Sequence, residues 1–342
     1  MTAPGLGYLG WHSRGNVGDD AIHDGVIASM PGVSIVDIPL YPRDFVKGLG
    51  NLKRLGASIP FLGGGTCVGR RNWRLHVIGG LTMARCRPAA AVGVGVEDPA
   101  FAGRHSFSDR GELAHWRKVL RRFDGVSVRG PRSAELLADI GVQARVVGDP
   151  ALALGRPCEL PDMGLVGVNL GFGDDLWGHD PDAVVSATSA MCTELAQRGY
   201  RVVGLAINPG DVQLLRRMLG RAGLPPTVEA PASASLFAAA AARCNVIVAM
   251  RLHAAILAAL AGVPSVQLEY QPKCRDFARS IGGEQHLLRT DRLTSSGLVA
   301  GTLGLIENRD TEAARVTTMV DALRASLREE FVTLKGRLDN FS

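Results

Sequence analysis

The chain has 342 residues, 46% of them hydrophobic and 21% charged, with a net charge of +5 at pH 7. That length exceeds one ordinary core and suits two domains, and the composition is that of a folded, soluble protein. The basic excess is scattered apart from a cluster at Arg70, Arg71, Arg74, Arg85 and Arg87 and has little aromatic interleaving; no nucleic-acid partner is expected, and an anionic small substrate or anionic membrane surface fits better.

Apolar runs predict strands at 5–10, 33–38, 57–62, 89–95, 124–129 and 144–148, with helices near 19–30, 44–55, 73–86, 109–122 and 131–140. Such alternation makes a parallel sheet covered by helices on both faces. The pattern resets through GDPALALGRPCELPDMG, rich in Gly and Pro, just past Asp149-Pro150. Residues 1–150 are therefore read as an N-terminal Rossmann-like domain and 151–310 as a second one. The second domain has predicted strands at 164–170, 201–206, 227–229, 244–249 and 264–268, with helices near 181–198, 211–222, 233–242, 251–262 and 273–281. The segment 311–342 forms a helix over 311–339, its apolar stripe running from Val316 to Leu338 at steps of three or four. It is expected to pack back on the first domain; a dimerising coiled coil is the other reading. The fold class is α/β, two Rossmann-like domains whose parallel sheets face an interdomain cleft, where ligands of open α/β sheets bind.

The six cysteines (67, 86, 158, 192, 244 and 274) show no CxxC pair and read as core residues in a reducing compartment. The start, MTAPGLGYLGW, lacks the charged and long apolar regions of a signal peptide. The most apolar window, 236–263, is interrupted by Arg243, Asn245, Arg251 and His253, which a membrane span would bury at high cost. A cytoplasmic protein is expected, with contact at the inner membrane face and a homodimer left open.

GLGYLG at 5–10 has the letters of a dinucleotide fingerprint, but its glycines lie inside the first strand, so it is rejected as one. GNVGDDAI at 15–22 opens a helix, with Asp19 a plausible N-cap. Asp19 and Asp20 are candidate bases, and Asn16 and Gly18 candidate substrate-binding residues. FLGGGTCVG at 61–69 follows the third strand. Gly64 and Gly65 either let a ligand approach the backbone or merely permit a sharp turn. Arg129 ends the fifth strand, where it binds an anion or pairs with a carboxylate such as Asp149. Asp180-Pro-Asp182 reads as a helix cap, and no metal or cofactor is expected.

The most informative stretch is AMRLHAAILAALAGVPSVQLEYQPK, residues 249–273. Arg251 and His253 sit where a strand passes into an apolar helix, and Lys273 follows the next strand. A helix end contributes about 0.3–1 kcal/mol to anion binding. A cation about 4 Å from an anion near a protein surface contributes up to roughly 4 kcal/mol. Arg129, Arg251 and Lys273 are therefore the expected anion binders, with His253 a proton donor among them.

These blocks, GNVGDDAI, LGGGTCVG, SVRGPRSAELLADIGV with VVGDPAL, and MRLHAAILAALAGVPSVQLEYQPKCRDFARSIG, resemble the polysaccharide pyruvyl transferase family over about residues 7–283. That family more often has Asp-Glu in place of Asp19-Asp20, and often has acidic residues at the positions of Gly130 and Gln271. The resemblance implies a glycosyltransferase-B-like fold. It also implies transfer of the pyruvyl group of phosphoenolpyruvate onto two hydroxyls of a saccharide or glycolipid acceptor, giving a ketal and phosphate. Arg129, His253 and Lys273 match the family's functional positions; Arg251 is added from its placement. The alternatives are a nucleotide-sugar glycosyltransferase and a non-catalytic glycan binder.

Overall fold

The computed structural model describes residues 5–40, 51–85, 87–101 and 111–340. Most of the helix expected at 44–55 lies outside these residues; its described part is Leu52–Gly56. The first sheet contains β1 (Gly5–Leu9), β2 (Ile35–Asp37), β3 (Ser58–Gly63), β4 (Thr66–Val68), β5 (Ala89–Val96), β6 (Phe123–Val128) and β7 (Arg145–Val146). The second contains β8 (Asp162–Asn169), β9 (Arg201–Leu205), β10 (Val228–Glu229), β11 (Cys244–Ala249), β12 (Ser265–Glu269) and β13 (Leu287–Arg289). Every described strand pair is parallel. Strands buried on both faces read as continuous apolar runs rather than alternating ones, and β5 and β11 are buried throughout.

The strand orders are β2-β1-β3-β5-β6-β7, with β4 beside β5, and β10-β9-β8-β11-β12-β13. Chain direction across the sheet therefore reverses between β1 and β3, and again between β8 and β11. Loops leaving the carboxyl ends of such neighbours diverge to opposite faces and leave a crevice. The segments at these four strand ends are 10–16, 63–65, 170–174 and 250–253, which hold Asn16, Gly64, Gly65, Arg251 and His253.

Helix Leu252–Leu260 is apolar all round and, His253 apart, buried throughout. A helix of that composition must be enclosed. It packs in one core with Leu6 and Phe61 of the first sheet, Phe237 and Ile247 of the second half, and Val316 and Phe331 of the last helix. Each fully buried Leu or Ile in it contributes about 1.5–3 kcal/mol. The last helix, Arg309–Asp339, turns seven apolar residues inward and sets Phe331 6.3 Å from Phe61. Its Arg324 donates from Nη1 to the carbonyls of Leu152 and Leu154.

A buried carboxylate joins the two halves. Asp276, on helix Pro272–Ser280, accepts from the backbone N–H groups of Arg132 (2.9 Å) and Ser133 (3.2 Å) and from Ser133 Oγ (2.6 Å). It thereby caps helix Pro131–Asp139, whose own cap residue, Gly130, has no side chain to do so. A Cβ at Gly130 would lie 2.3 Å from Asp276 Oδ1. The glycine where the family often has an acid is what lets this carboxylate in.

β4, β13 and helix Ser295–Glu307 were not expected from the sequence. The two strands have three residues each, too short for a period to show. The helix carries Gly297, Gly301 and Gly304, which lower its propensity, and it is held by packing of Leu298 and Leu305 in the second core. Among the described residues, no helix is long and apolar enough to cross a membrane.

Candidate active site

A cavity of about 450 Å³ opens at the carboxyl edges of both sheets. Arg129, His253 and Lys273 all line it, beside Asn16, Asp19, Gly64, Gly65 and Arg251. Gly18 borders it through His253, described below; Asp20 is not among its lining residues.

Arg129 follows β6 and is almost wholly buried, at 1% exposure. Its Nη2 donates to Thr66 Oγ1 at 3.1 Å, and its Nη1 lies 3.5 Å from Asp149 Oδ2. Nε and Nη1 have no hydrogen-bond partner despite their burial. Buried guanidinium donors are costly to leave unmade, so they mark a place for an anion. The carboxylate read from the sequence stands nearby, and two of the guanidinium nitrogens remain without a partner.

His253 lies in the first turn of helix Leu252–Leu260. Its Nε2 is sealed from solvent 3.7 Å from Asp149 Oδ2. Helix Val17–Ser29 packs directly on the ring: a Cβ at Gly18 would lie 2.6 Å from His253 Cβ, Cγ and Nδ1. Gly18 is thus the space that admits the imidazole. Lys273 Nζ sits 4.8 Å over the Tyr270 ring and, among the described residues, has no carboxylate at salt-bridge distance.

Arg251 lines the cavity, but its guanidinium is already committed. Nη2 donates to Asp211 Oδ1 at 2.6 Å and Nε to both carboxylate oxygens at 3.1 and 3.2 Å. Its backbone N–H donates to the buried Asn169 Oδ1 at 2.9 Å. Asp211, distant in sequence, thus pairs with one edge of the guanidinium, and Arg251 keeps its place in the cavity wall.

The opening turn also differs from expectation. Asn16, not Asp19, caps helix Val17–Ser29, its Oδ1 accepting from the Gly18 N–H at 3.1 Å. Asn16 Nδ2 in turn donates to Asp19 Oδ2 at 2.6 Å. Burial raises the Asp19 carboxyl above its usual 3.8, although His253 and Lys273 pull it back. Asp20 accepts from the Ser13 N–H at 2.6 Å and serves the loop. Gly64 and Gly65 take positive φ of 63° and 72°. The Gly64 N–H donates to the Val92 carbonyl at 3.3 Å, so the turn requirement accounts for that glycine. Asp180 accepts from the Ala183 N–H as the cap of its helix, as the sequence suggests.

Sequence reasoning missed Trp11, Arg70, Trp73, Asp174 and Tyr270, which also line the cavity. Arg70 pairs with Glu97 at 2.8 Å. Position relative to strand ends was the available signal: Trp11 follows β1 and Tyr270 follows β12, each at the edge where ligands bind. A second cavity, of about 920 Å³, lies at the ends of β1 and β2, lined by Tyr8, His12, Arg14, Asp37 and Arg54 among others. There the His12 and His23 rings stack 3.9 Å apart and 3° from parallel, with His12 Nε2 2.9 Å from Asp37 Oδ1. Stacked rings point their lone pairs along parallel planes, so one ring would have to turn before both could reach a single ion.

Two parallel sheets facing a basic crevice define a glycosyltransferase-B-like α/β protein. Similar solved structures include a UDP co-structure of MnaA from S. aureus (TM-score 0.59, 10% identity, covering 92% of this chain and 91% of that one). The alpha,alpha-trehalose 6-phosphate synthase from Burkholderia multivorans is another (TM-score 0.57, 11% identity, 100% of both chains). The chain belongs to the polysaccharide pyruvyl transferase family, which it matches over residues 16–272. The pneumococcal O-GlcNAc transferase GtfA, in complex with UDP and GlcNAc, is also similar (TM-score 0.52, 15% identity, 87% of this chain and 59% of that one). No curated protein matches the chain.

Proposed function

We propose that the cavity binds phosphoenolpyruvate and that the protein moves its three-carbon unit onto two hydroxyls of one saccharide, forming a cyclic ketal and releasing phosphate. The observation that carries this reading is the buried Arg129 guanidinium, with Nε and Nη1 unpartnered, in one cavity with His253 and Lys273. Phosphoenolpyruvate presents both a carboxylate and a phosphate, which suits a planar fork and a point charge lining one cavity.

His253 is the general acid, protonating C3 of the enol. C2 then becomes electrophilic and the first sugar hydroxyl adds to it, its proton passing to Asp19. Raised by burial, Asp19 is a better proton acceptor than an ordinary surface carboxylate. The C2–O bond to phosphate breaks, and the second hydroxyl closes the ring while its proton leaves with the phosphate. One donor and one diol thus give one ketal and one phosphate, with no redox change.

His253→Gln is expected to abolish phosphate release while leaving most of the thermal stabilisation by phosphoenolpyruvate intact. Mass spectrometry of candidate glycans should show a gain of one pyruvate less one water. Stabilisation by UDP and not by phosphoenolpyruvate would overturn the reading in favour of a nucleotide-sugar enzyme.

A further inference from the structure

Three polar atoms meet in a sealed space beneath the cavity: Asp149 Oδ2, His253 Nε2 and Arg129 Nη1. None of the three has a hydrogen-bond partner. The oxygen stands 3.7 Å from the histidine nitrogen and 3.5 Å from the arginine nitrogen. Asp149 is wholly buried, at 0% exposure. Its other oxygen is fixed, accepting from the Ala151 N–H at 3.0 Å as the cap of the 3₁₀ turn Pro150–Ala153.

The carboxylate is also fixed through its backbone. Helix Val17–Ser29 presses so closely on this turn that a Cβ at Gly25 would lie 2.1 Å from the Pro150 carbonyl oxygen. Gly148, at φ 90°, packs against Leu323 of the last helix, and Arg324 holds the carbonyls of Leu152 and Leu154. Asp149 therefore cannot retreat, whereas the imidazole can turn by the few tenths of an ångström that make a hydrogen bond. Contacts of this kind tighten when substrate is bound.

We infer that Asp149 is the positioning residue for His253: it takes the Nε2 proton as its hydrogen-bond partner and so leaves Nδ1, on the Gly18 side, to deliver protons to the substrate. This rests on the proposed reaction. With Nε2 facing Asp149, the ring is held in one tautomer, and the imidazolium needed for C3 protonation has a counter-charge behind it. Asp149 suits that role. Burial pushes its carboxyl up, but the His253 ring, Arg129 and the Ala151 N–H more than offset this, so it stays ionised at neutral pH. Asp19 and Lys273 face His253 from the cavity side and Arg251 precedes it by two residues, so the ring lies between one buried carboxylate and a mixed set of charges. Arg129 is shared: one edge faces Asp149, and its remaining donors stay available to the donor's anion.

The test combines ring-nitrogen NMR on histidine-labelled protein with kinetics on Asp149→Asn. His253→Gln assigns the signal. In the wild-type protein without ligand, the neutral ring should carry its proton on Nε2; a proton on Nδ1 overturns the inference without any Asp149 variant. Asp149→Asn keeps an oxygen for the Ala151 N–H but turns an amide N–H toward Nε2, so the tautomer should swap to Nδ1. In that variant kcat for phosphate release should fall about 100-fold or more, with no rise in KM for phosphoenolpyruvate, because Arg129 is no longer shared. A merely structural Asp149 would lower the melting temperature but leave the tautomer and kcat alone, which also overturns the inference. If the wild type releases no phosphate from phosphoenolpyruvate with any glycan, the proposed reaction fails, while the tautomer still decides whether Asp149 holds the ring.

Discussion

Asp276→Ala removes a cap that one half of the molecule lends to the other. The carboxylate is 3% exposed and accepts three hydrogen bonds, two from backbone N–H groups at the start of helix Pro131–Asp139 and one from the buried Ser133 hydroxyl. Loss of an N-cap acceptor costs about 0.5–2 kcal/mol. Stranding a buried hydroxyl costs about 1–3 kcal/mol. With partial relaxation the sum is roughly 2–4 kcal/mol, read as a lower urea midpoint at unchanged slope. Asp276→Asn keeps an oxygen for both N–H groups and should lose only about 1 kcal/mol. The site should respond as well, since Arg129 immediately precedes the capped helix and Lys273 lies one turn before Asp276. KM for phosphoenolpyruvate should rise more than kcat falls. A stability loss in Asp276→Ala below about 1 kcal/mol would refute the claim that the cap joins the halves.

Gly18→Ala puts a methyl 2.6 Å from three atoms of the His253 ring and stem. The ring must move, and phosphate release should drop about 100-fold with little change in melting temperature; unchanged kcat would show that the ring has room. Arg251→Met leaves the 2%-exposed Asp211 as a buried, unpaired carboxylate, so urea unfolding should report a loss of about 3–5 kcal/mol. The His12–Asp37 pair gives a pH signature. The hydrogen bond to Asp37 raises His12 above its usual 6.5. Burial acts to raise Asp37, but His12 overcomes it and holds the carboxyl below its usual 3.8. The pair therefore stabilises fully between about pH 4 and 6.5 and fades on either side, as His12 deprotonates or Asp37 protonates. The melting-temperature difference between wild type and Asp37→Asn should be largest near pH 5–6 and vanish above about pH 9; a difference that is flat with pH would remove the pair from the account. His23 is lowered beneath 6.5, chiefly by burial, while Asp37 pulls it up, so losing that pull in Asp37→Asn adds to the difference on the acid side.

The parallel sheets and the three cationic side chains were legible because each lies at or next to the end of a strong apolar run. Arg129 follows β6, His253 follows β11 and Lys273 follows β12, and at strand ends sequence position fixes spatial position. What was not legible depends on partners distant in the chain. Arg251 looks like a free cation until Asp211 is seen against it. Asp19 looks like a cap until Asn16, three residues earlier, is found in that role. Asp149 was recognised only as a partner for Arg129, because nothing local shows that His253, 104 positions on, turns its sealed nitrogen to the same oxygen. Gly130 shows the opposite case. In the sequence it stands where the family often has an acid, and in the structure it is the space that Asp276 fills.

The last helix contributes no group to either cavity wall described above, yet Leu323 backs Gly148 and Arg324 clasps the carbonyls beyond Asp149. A strut running from residue 309 to 339 thus supports the floor on which His253, the proposed proton donor, rests. A chain shortened before it would keep every cavity-lining side chain, yet the proposed reaction should fail for want of a firm foundation under one imidazole.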